Sequence, residues 1–392
     1  MTLSPTGIFI LLYFLSNIAL GAYYGYVGVL GGDFTGVKIK DDELYFSVYI
    51  IELLLMSIFL IVLRLIYRAN KVQAKGDNYD WINKYVFFIQ LSFLIYSYIT
   101  GVGRLSQDYY GTNVDNPLKY FFTFFNADYF FLASLCINRR ISKTNVALYL
   151  ISNIYRGWFA GGLLNIIFIC AVKIFPNVRM KFRTIFIILA GFIVLAPSIY
   201  YVKYVSRGAE SIGIEAASQY YQKDLYSQVI NSAFSRFQHI SETYSIVQDI
   251  DVLIAGYESG QFVPFYFENP AKRQLANAFN YANDQTITQF SAESILQKIP
   301  GNIQIGLLPW LLISPFLSVL FILYLLITFI FLVCFFKRLT SQNVWPYCVW
   351  ITMLLAMHGW FTSYFMFLWS LFLLVALKYF RKLVLNKPLE PR

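Results

Sequence analysis

The sequence predicts an all-α, polytopic integral membrane protein with about ten transmembrane helices and one large hydrophilic loop. Of its 392 residues, 58% are hydrophobic and only 13% are charged, whereas soluble domains are nearer half apolar and a quarter charged. Uncharged stretches recur along the chain, such as residues 8–32 and 317–336. Each supplies the roughly 20 residues that a helix needs to cross a hydrocarbon core about 30 Å thick.

The charged residues between these stretches sort by sign, and this predicts the topology. Segments 64–84, 139–143, 173–183, 337–338 and 378–392 together carry a net charge of +16, and the rest of the chain carries −6. Cytoplasmic loops of membrane proteins are enriched in Lys and Arg, so these segments and both termini are predicted to be cytoplasmic. The basic balance is therefore a topology signal and predicts no nucleic-acid partner.

An arginine inside an apolar run predicts a helical hairpin. Arg156 lies within residues 145–172, which have basic, hence cytoplasmic, segments on both sides. One helix cannot begin and end on the same side of a membrane, and this run as a single helix would be about 42 Å long. We therefore predict two short helices, 142–155 and 158–175, joined at Arg156-Gly157 near the outer face. There Arg156 avoids the hydrocarbon centre, where an exposed charge costs several kcal/mol.

The same reasoning divides residues 344–380 at a turn near His358-Gly359, again at the outer face. Ten helices are then predicted, near 6–31, 44–66, 85–101, 118–137, 142–155, 158–175, 184–204, 306–336, 344–357 and 361–378.

The large outer loop, residues 206–305, separates an N-terminal bundle of about seven helices (1–205) from C-terminal helices with a short cytoplasmic tail (306–392). A structureless loop of this length is unusual, and such loops commonly carry function. Apolar residues at spacings of mostly three or four predict an amphipathic helix near 225–253. On it, Arg236, His239 and Glu242 follow at intervals of three, so successive members are surface neighbours.

The rest of the loop predicts contacts with the membrane surface. A turn at residues 256–260 ends the amphipathic helix, and FVPFYF (262–267) is apolar enough to touch the bilayer. The proline and glycine residues of 299–310 predict a short surface helix, followed by a bend into the next span.

The outer face gathers the candidate ligand-binding residues. Arginine side chains bind phosphate oxygens bidentately, so arginines in a net acidic surround predict a diphosphate head group at the outer leaflet. The candidates are Arg104, Arg156, Lys203, Arg207 and Arg236, with the two histidines of the chain, His239 and His358.

The chain resembles the Wzy-type O-antigen polymerases and the related O-antigen ligases. Three segments carry this resemblance: Arg156-Gly157 after a short helix, the loop around Arg236, and the return into the membrane through LPWLLISP (308–315). In architecture the likeness covers the whole chain, with many spans and one large loop near the C-terminal third. The RX10G repeat described for some polymerases is absent, because Ile167 and Val247 stand where glycine would be required.

This resemblance implies a metal-independent glycosyltransferase of the GT-C-like type that needs no cofactor. It would lie in the bacterial inner membrane, with its large loop in the periplasm. Its donor would be a glycan on undecaprenyl diphosphate, and its acceptor a sugar hydroxyl of another lipid-linked repeat unit, giving the O-antigen polysaccharide of lipopolysaccharide. Besides the lipid bilayer, a chain-length regulator and a flippase of the same pathway are the implied partners.

Within that activity, Arg156 and Arg236 are expected to stabilise the negative charge that grows on the leaving diphosphate. His239 is the first candidate for a general base toward the acceptor hydroxyl, and Glu242 would orient it or act in its place. The residues assigned to substrate binding are Arg104, Lys203, Arg207 and His358.

Structural roles are the alternatives for these residues. Arg156 could be an interface arginine that reaches head groups, and Arg236 could pair with Glu242. Asp128 is an intramembrane carboxylate that could pair with an arginine. His239 could be an exposed helix residue, Arg104 a partner of Asp108, and His358 a turn residue at the membrane surface.

Two other activities compete with polymerisation. A ligase would use the same chemistry to move finished polymer to the lipid A core, but such ligases carry a histidine late in the large loop and residues 240–305 contain none. A non-enzymatic exporter of lipid-linked glycan would be expected to show internal repeats, and the sequence shows no such repeat.

Overall fold

The computed structural model describes ten continuous ranges, and six further positions between 190 and 202 (190–191, 194–195, 198 and 202). These ranges are residues 2–34, 36–71, 79–104, 117–176, 180–181, 183, 237–269, 279–280, 285–296 and 303–385. The described elements are helical, apart from a two-residue antiparallel pair between Thr2–Leu3 and Met180–Lys181.

The helices of the first half are α1 (Pro5–Val27), α2 (Asp42–Ala69), α3 (Ile82–Thr100), α4 (Pro117–Phe124), α5 (Ala127–Ile137), α6 (Lys143–Tyr155) and α7 (Phe159–Ile174). Those of the second half are α8 (Ile240–Gln248), α9 (Ile250–Glu258), α10 (Ile287–Ser294), α11 (Leu308–Leu312), α12 (Pro315–Leu339), α13 (Trp345–Ile351, continued by a π-helical turn over Thr352–Ala356) and α14 (Phe361–Leu385). Short 3₁₀ turns lie at Gly32–Phe34 and Phe265–Phe267.

Six helices in the described part of the chain are long and apolar enough to cross a membrane. They are Pro5–Val27, Asp42–Ala69, Ile82–Thr100, Leu118–Ile137, Pro315–Leu339 and Phe361–Arg381. Gly161–Ile174 and Trp345–Ala356 are apolar but shorter. The all-α, membrane-embedded class is therefore confirmed, whereas the number of ten spans stays a prediction. The predicted helix 184–204 lies largely outside the described residues.

The predicted hairpin at Arg156 is present in the structure. Helix α6 ends at Tyr155 and α7 begins at Phe159. Gly157 between them has a φ of +79°, a left-handed conformation that glycine adopts without steric cost. The second predicted hairpin is also present, since α13 with its π turn ends at Ala356 and α14 begins at Phe361.

Two predicted spans are interrupted. The span predicted over 118–137 is present as the candidate span Leu118–Ile137, but it consists of two helical pieces, α4 and α5. The second piece begins where Asn126 caps α5 by accepting a hydrogen bond from the amide of Tyr129 at 3.2 Å. The span predicted over 306–336 consists of the short α11 and then α12. Ser314 caps α12, and Pro315 stands at its first position, where its missing N–H leaves no helical bond unmade.

The apolar loop segment predicted at the membrane surface is buried inside the protein instead. Phe262, Val263 and Phe265 are at most 1% exposed. The ring of Phe265 packs 5.2 Å from Trp310 of α11 and 5.0 Å from Phe321 of α12. Trp310 is itself fully buried, so α11 is not a surface helix. Aromatic packing against the C-terminal helices therefore replaces the predicted lipid contact.

Helix α8, from the predicted outer loop, is inserted into the bundle. Every residue from Ile240 to Val247 is buried, and the helix packs against α1, α2 and α11. Its Tyr244 hydroxyl accepts hydrogen bonds from the amides of Lys40 and Asp41 at 3.2 Å each. The region predicted as a separate outer loop therefore contributes to the same core as the flanking spans in its described part.

The segments predicted to be cytoplasmic meet at one end of the bundle, which we name the basic end. Lys337 of α12 donates a hydrogen bond to the carbonyl of Tyr67 in α2 at 2.7 Å, and Lys378 of α14 donates to the carbonyl of Arg338 at 2.9 Å. The Thr2–Leu3 strand pairs with Met180–Lys181.

Cysteine labelling tests which side of the membrane each end faces. A cysteine at Ser142 or Lys181 is expected to resist an impermeant thiol reagent applied from outside, because the basic segments are predicted to be cytoplasmic. A cysteine at the exposed Ser259 is expected to react. The parent protein supplies the background from its own cysteines. Labelling at position 181 from outside would contradict the predicted hairpin topology.

Candidate functional site

The centre of the site is a carboxylate buried within a transmembrane helix. Glu52 lies ten residues after the start of α2, which places it about 15 Å along the helix, and it is fully buried. An isolated ionised carboxylate in such surroundings would be very costly. Its surroundings must therefore supply hydrogen-bond donors or a positive charge.

Glu52 receives three donors from distant parts of the chain. Its Oε1 lies 2.9 Å from Nε2 of His239, and accepts from the amide of Leu307 at 3.2 Å. Its Oε2 accepts from the amide of Leu308 at 3.3 Å. The amides at the start of α11 have no partners within that helix, so the carboxylate satisfies them while they stabilise its charge. One intramembrane side chain thus joins α2, the large loop and α11.

A glycine allows α11 to approach this carboxylate. Gly306 has a φ of +71°. A Cβ at this position would lie 2.9 Å from Oε1 of Glu52 and 2.3 Å from Oγ1 of Thr243. Both the backbone conformation and the close approach therefore require glycine.

His239 is held in place through its backbone by a residue of α1. The Asn17 side chain accepts a hydrogen bond from the amide of His239 at 3.2 Å and donates one to the carbonyl of Phe237 at 2.7 Å. Asn17 is fully buried, as is His239. This amide clamp fixes the loop segment inside the bundle and aims the imidazole at Glu52.

The second nitrogen of His239 contacts a tyrosine hydroxyl. Nδ1 lies 3.3 Å from the hydroxyl of Tyr13, which also lies 3.0 Å from the carbonyl of Met353. That carbonyl belongs to the π-helical turn, in which the amide of Met357 bonds to Thr352 instead. Single π turns of this kind are frequent at functional sites.

The Tyr13 hydroxyl can satisfy Nδ1 of His239 whether or not that nitrogen carries a proton. When Nδ1 is unprotonated, Tyr13 can donate its single proton to Nδ1. When Nδ1 carries a proton, it can donate to the Tyr13 oxygen, and Tyr13 then donates to the carbonyl of Met353. His239 can therefore gain one proton without leaving a buried donor unsatisfied, and the resulting imidazolium would be neutralised by Glu52.

His358 joins this group from the second hairpin. Its ring centroid lies 5.2 Å from that of His239 and 5.5 Å from that of Tyr13. Its carbonyl accepts a hydrogen bond from the amide of Ile305 at 3.2 Å. His358 is 1% exposed, so the alternative of a turn residue at the membrane surface is wrong about its surroundings. Both histidines of the chain meet inside the bundle. We name Tyr13, Glu52, His239 and His358 the Glu52 cluster.

Glu242 does not orient His239 in this structure. It is buried, and its Oε2 accepts a hydrogen bond from Nε2 of Gln238 at 3.2 Å. Its Oε1 lies so close to Gly32 that a Cβ there would come within 1.9 Å. His239 precedes the first residue of α8, Ile240, so His239 and Glu242 do not lie on the same described helix. The contact with His239 that was predicted for Glu242 is made by Glu52 instead, while Glu242 packs against the segment between α1 and α2.

Arg156 belongs to a second cluster, at the elbow between α6 and α7. Its Nη2 donates to both carboxylate oxygens of Asp128, at 2.8 and 2.7 Å, and its Nε donates to the backbone and hydroxyl oxygens of Ser152 at 3.2 Å. Its guanidinium lies 4.9 Å from the ring centroid of Phe93. The alternative that Asp128 pairs with an arginine is thus confirmed, and Arg156 is buried and neutralised.

Of the remaining predicted binding residues, the structure describes only Arg104. The guanidinium of Arg104 lies 4.9 Å from the ring centroid of Tyr155, beside the elbow. Lys203, Arg207 and Arg236 lie outside the described residues, as does Asp108. Within the described chain, the Arg156 cluster and the Glu52 cluster share no residue.

The sequence interpretation did not single out Glu52, which is the most connected side chain of the site. A signal for it exists. Glu52 is a lone carboxylate in the apolar run YIIELLLM, and intramembrane carboxylates face the bundle interior and pair with other groups. Tyr13 and Asn17 have no comparable signal, because polar uncharged residues are common in such helices.

The ion pair makes a specific prediction for Arg156. We expect Arg156→Ala to lower the free energy of unfolding by about 1–3 kcal/mol, because it leaves the partly exposed Asp128 without its donor. Arg156→Lys should recover little, since a lysine cannot reproduce the bonds of the guanidinium fork. Adding Asp128→Asn to Arg156→Ala should restore part of the loss in a double-mutant cycle. The exposed Arg140→Ala serves as control. Additive losses would contradict the pairing.

The two clusters differ in what they can do chemically. The hydrogen-bond partners in the Glu52 cluster suit His239 with one or two ring protons, whereas the Arg156 cluster presents a cation already matched by a carboxylate, with Arg104 beside it. Comparison with known proteins assigns the chain to no family, since no family model, no curated protein and no solved structure matches it.

Proposed function

We propose that this protein is a metal-independent glycosyltransferase that polymerises undecaprenyl-diphosphate-linked repeat units at the outer face of a bacterial inner membrane. The observation that carries this proposal is the placement of His239. A residue of the large loop is held by Asn17 and Glu52 inside the membrane bundle. A base held inside the membrane bundle suits a substrate that is itself attached to a membrane lipid.

In the proposed reaction, His239 is the general base. A sugar hydroxyl of the acceptor attacks the anomeric carbon of the donor glycan, forming the new glycosidic bond. The bond between that carbon and the diphosphate oxygen breaks, and undecaprenyl diphosphate leaves with the electron pair. The hydroxyl proton passes to Nδ1 of His239, directly or through the hydroxyl of Tyr13, and Glu52 stabilises the imidazolium that forms.

This role requires the site to open. Tyr13, Glu52 and His239 are all fully buried in the described structure, so an acceptor hydroxyl must displace Tyr13 or move the loop segment held by Asn17. Active sites that close around a substrate exclude water in this way. The growing charge on the diphosphate would be stabilised by Arg236 and Arg104, since Asp128 already neutralises Arg156.

The direct test is chain growth by the purified, full-length protein in liposomes. The protein receives undecaprenyl-diphosphate-linked repeat units from the strain that encodes it, with no nucleotide and no ion gradient. Longer lipid-linked glycans and released undecaprenyl diphosphate are expected. The absence of both products with an authenticated substrate would contradict the proposal.

A proton-coupled exporter of lipid-linked glycan is the second candidate. Intramembrane ionisable residues often form proton relays, and transporter sites are commonly built beside broken helices. The Glu52 cluster fits both descriptions, because its hydrogen bonds suit an extra proton on His239 and it lies at the start of α11, the short first piece of an interrupted span. In the same liposomes, an exporter would move the glycan across the bilayer under an imposed pH gradient and leave its length unchanged.

A further inference from the structure

The basic end of the bundle holds a cavity far from the Glu52 cluster. The ends of α2 and α12, with the residues that follow them, enclose about 460 Å³. All eight lining residues have cationic or neutral hydrogen-bonding side chains: Tyr67, Arg68, Asn70, Lys71, Lys337, Thr340, Ser341 and Gln342. Within the part of the chain that the structure describes, no carboxylate lines this cavity.

One of the three cations is fixed by the backbone. The Nζ of Lys337 donates to the carbonyls of Tyr67, at 2.7 Å, and Asn70, and it lies 4.3 Å from the ring centroid of Tyr67. These bonds join the ends of α2 and α12. An ammonium group has three N–H donors, so one is left for a ligand oxygen. The cavity thus has a charge held in position before any ligand binds.

The charge balance of the cavity favours an anion. Each helix end that borders it is a C-terminus, equivalent to about −0.5 of an elementary charge. The two ends together offset about one of the three cations, Arg68, Lys71 and Lys337. A surplus of about +2 remains, beside the hydroxyl donors of Thr340 and Ser341. This surplus matches the charge and hydrogen-bonding capacity of a phosphate group.

The surrounding surface favours a lipid as the source of such a phosphate. Along the two helices that lead to the cavity, apolar side chains face outward: Ile61 and Leu65 of α2 are 59% and 58% exposed, and Ile327 and Phe331 of α12 are 51% and 49% exposed. Acyl chains can lie on this surface while the head group enters the cavity. A basic pocket between spans at the water boundary is a recognised form of lipid site.

We propose that this cavity binds the phosphate group of an anionic phospholipid. The proposal is independent of the glycosyltransferase proposal, since none of its residues belongs to the Glu52 or Arg156 clusters. Binding would join α2, which carries Glu52, to α12 at their basic ends. The lipid would therefore stabilise the helix pair on which the buried site is built.

Lipid titration of the purified, full-length protein tests this proposal. The protein is delipidated in neutral detergent, and its thermal unfolding midpoint is followed as phosphatidylglycerol is added. We expect a saturable rise, with an apparent affinity about 30-fold weaker in Arg68→Gln/Lys71→Gln. The comparison uses the lipid concentration at half-saturation, so a change in intrinsic stability does not affect it. Phosphatidylcholine with the same acyl chains should give no saturable rise.

Two further double variants and a titration with inorganic phosphate complete the test. Arg140→Gln/Arg183→Gln removes the same charge from exposed positions outside the cavity, and should keep the affinity within about threefold. Arg68→Lys/Lys71→Arg keeps the charge and should also bind. Equal losses in both glutamine double variants would overturn the proposal, because they would show nonspecific surface attraction. A saturable rise with inorganic phosphate alone would overturn the assignment to a lipid.

Discussion

Replacing Glu52 by alanine is expected to lower the free energy of unfolding by about 3–5 kcal/mol, because each buried hydrogen-bonding group left unsatisfied costs about 1–3 kcal/mol. The substitution removes the acceptor for Nε2 of His239 and for the amides of Leu307 and Leu308. All three donors would stay buried without that acceptor, since the site is closed to water. Denaturant titration of the purified protein in detergent measures the loss.

Two variants show whether this loss comes from the hydrogen bonds. Glu52→Gln keeps the shape and one acceptor oxygen, so it should be less destabilising than Glu52→Ala. Glu43→Ala removes an exposed carboxylate from the same helix and should change the free energy of unfolding by less than about 1 kcal/mol. If Glu52→Ala and the Glu43→Ala control have the same free energy of unfolding, the Glu52 carboxylate does not connect α2, α8 and α11.

His239→Asn is expected to slow glycan chain growth by roughly 10²–10⁴-fold, the contribution typical of a general base. Asparagine retains a hydrogen-bond donor toward Glu52. It has no basic nitrogen that can take the proton from the hydroxyl of the acceptor sugar. The measurement is the initial rate of glycan elongation in liposomes, with gel banding of the polymer in cells as a second readout. Tyr13→Phe removes only the relay hydroxyl and should therefore slow growth less than His239→Asn.

The unfolding midpoint distinguishes a chemical role from a structural one. Loss of chain growth by His239→Asn at an unchanged midpoint would support the base. Loss of growth and stability together would assign His239 to the packing of the loop segment. Normal growth by a stable His239→Asn protein would exclude it as the base and favour the exporter, which the pH-gradient experiment then tests.

Local features of the sequence indicated the described spans and the two hairpins. Apolar length indicated the spans, and the requirement that both ends of residues 145–172 lie on one side indicated the hairpin at Arg156. Gly157 and Gly359 stand at the two turns, each with a positive φ. These signals are read within one or two helical turns, because hydrophobic burial and backbone strain act on nearby residues.

Contacts between distant segments were decided by the tertiary structure alone. His239 and Glu52 are 187 positions apart, and the sequence paired His239 with the neighbouring Glu242 because only near neighbours on a helix can be inferred from spacing. In the same way, FVPFYF was assigned to the membrane surface, whereas Trp310 and Phe321 offer it a protein surface instead. An apolar pattern is the same whether the partner is lipid or another helix.

The sequence by itself determined that this chain is a helical membrane protein, where two of its hairpins turn, and which segments share a charge. The tertiary structure decided that α8 enters the bundle, that Arg156 is matched by Asp128, and that Glu52 is the centre of the buried polar cluster. The physical reason is that burial and charge compensation depend on which surfaces meet. That depends on the packing of all the helices together, and not on the composition of any one of them.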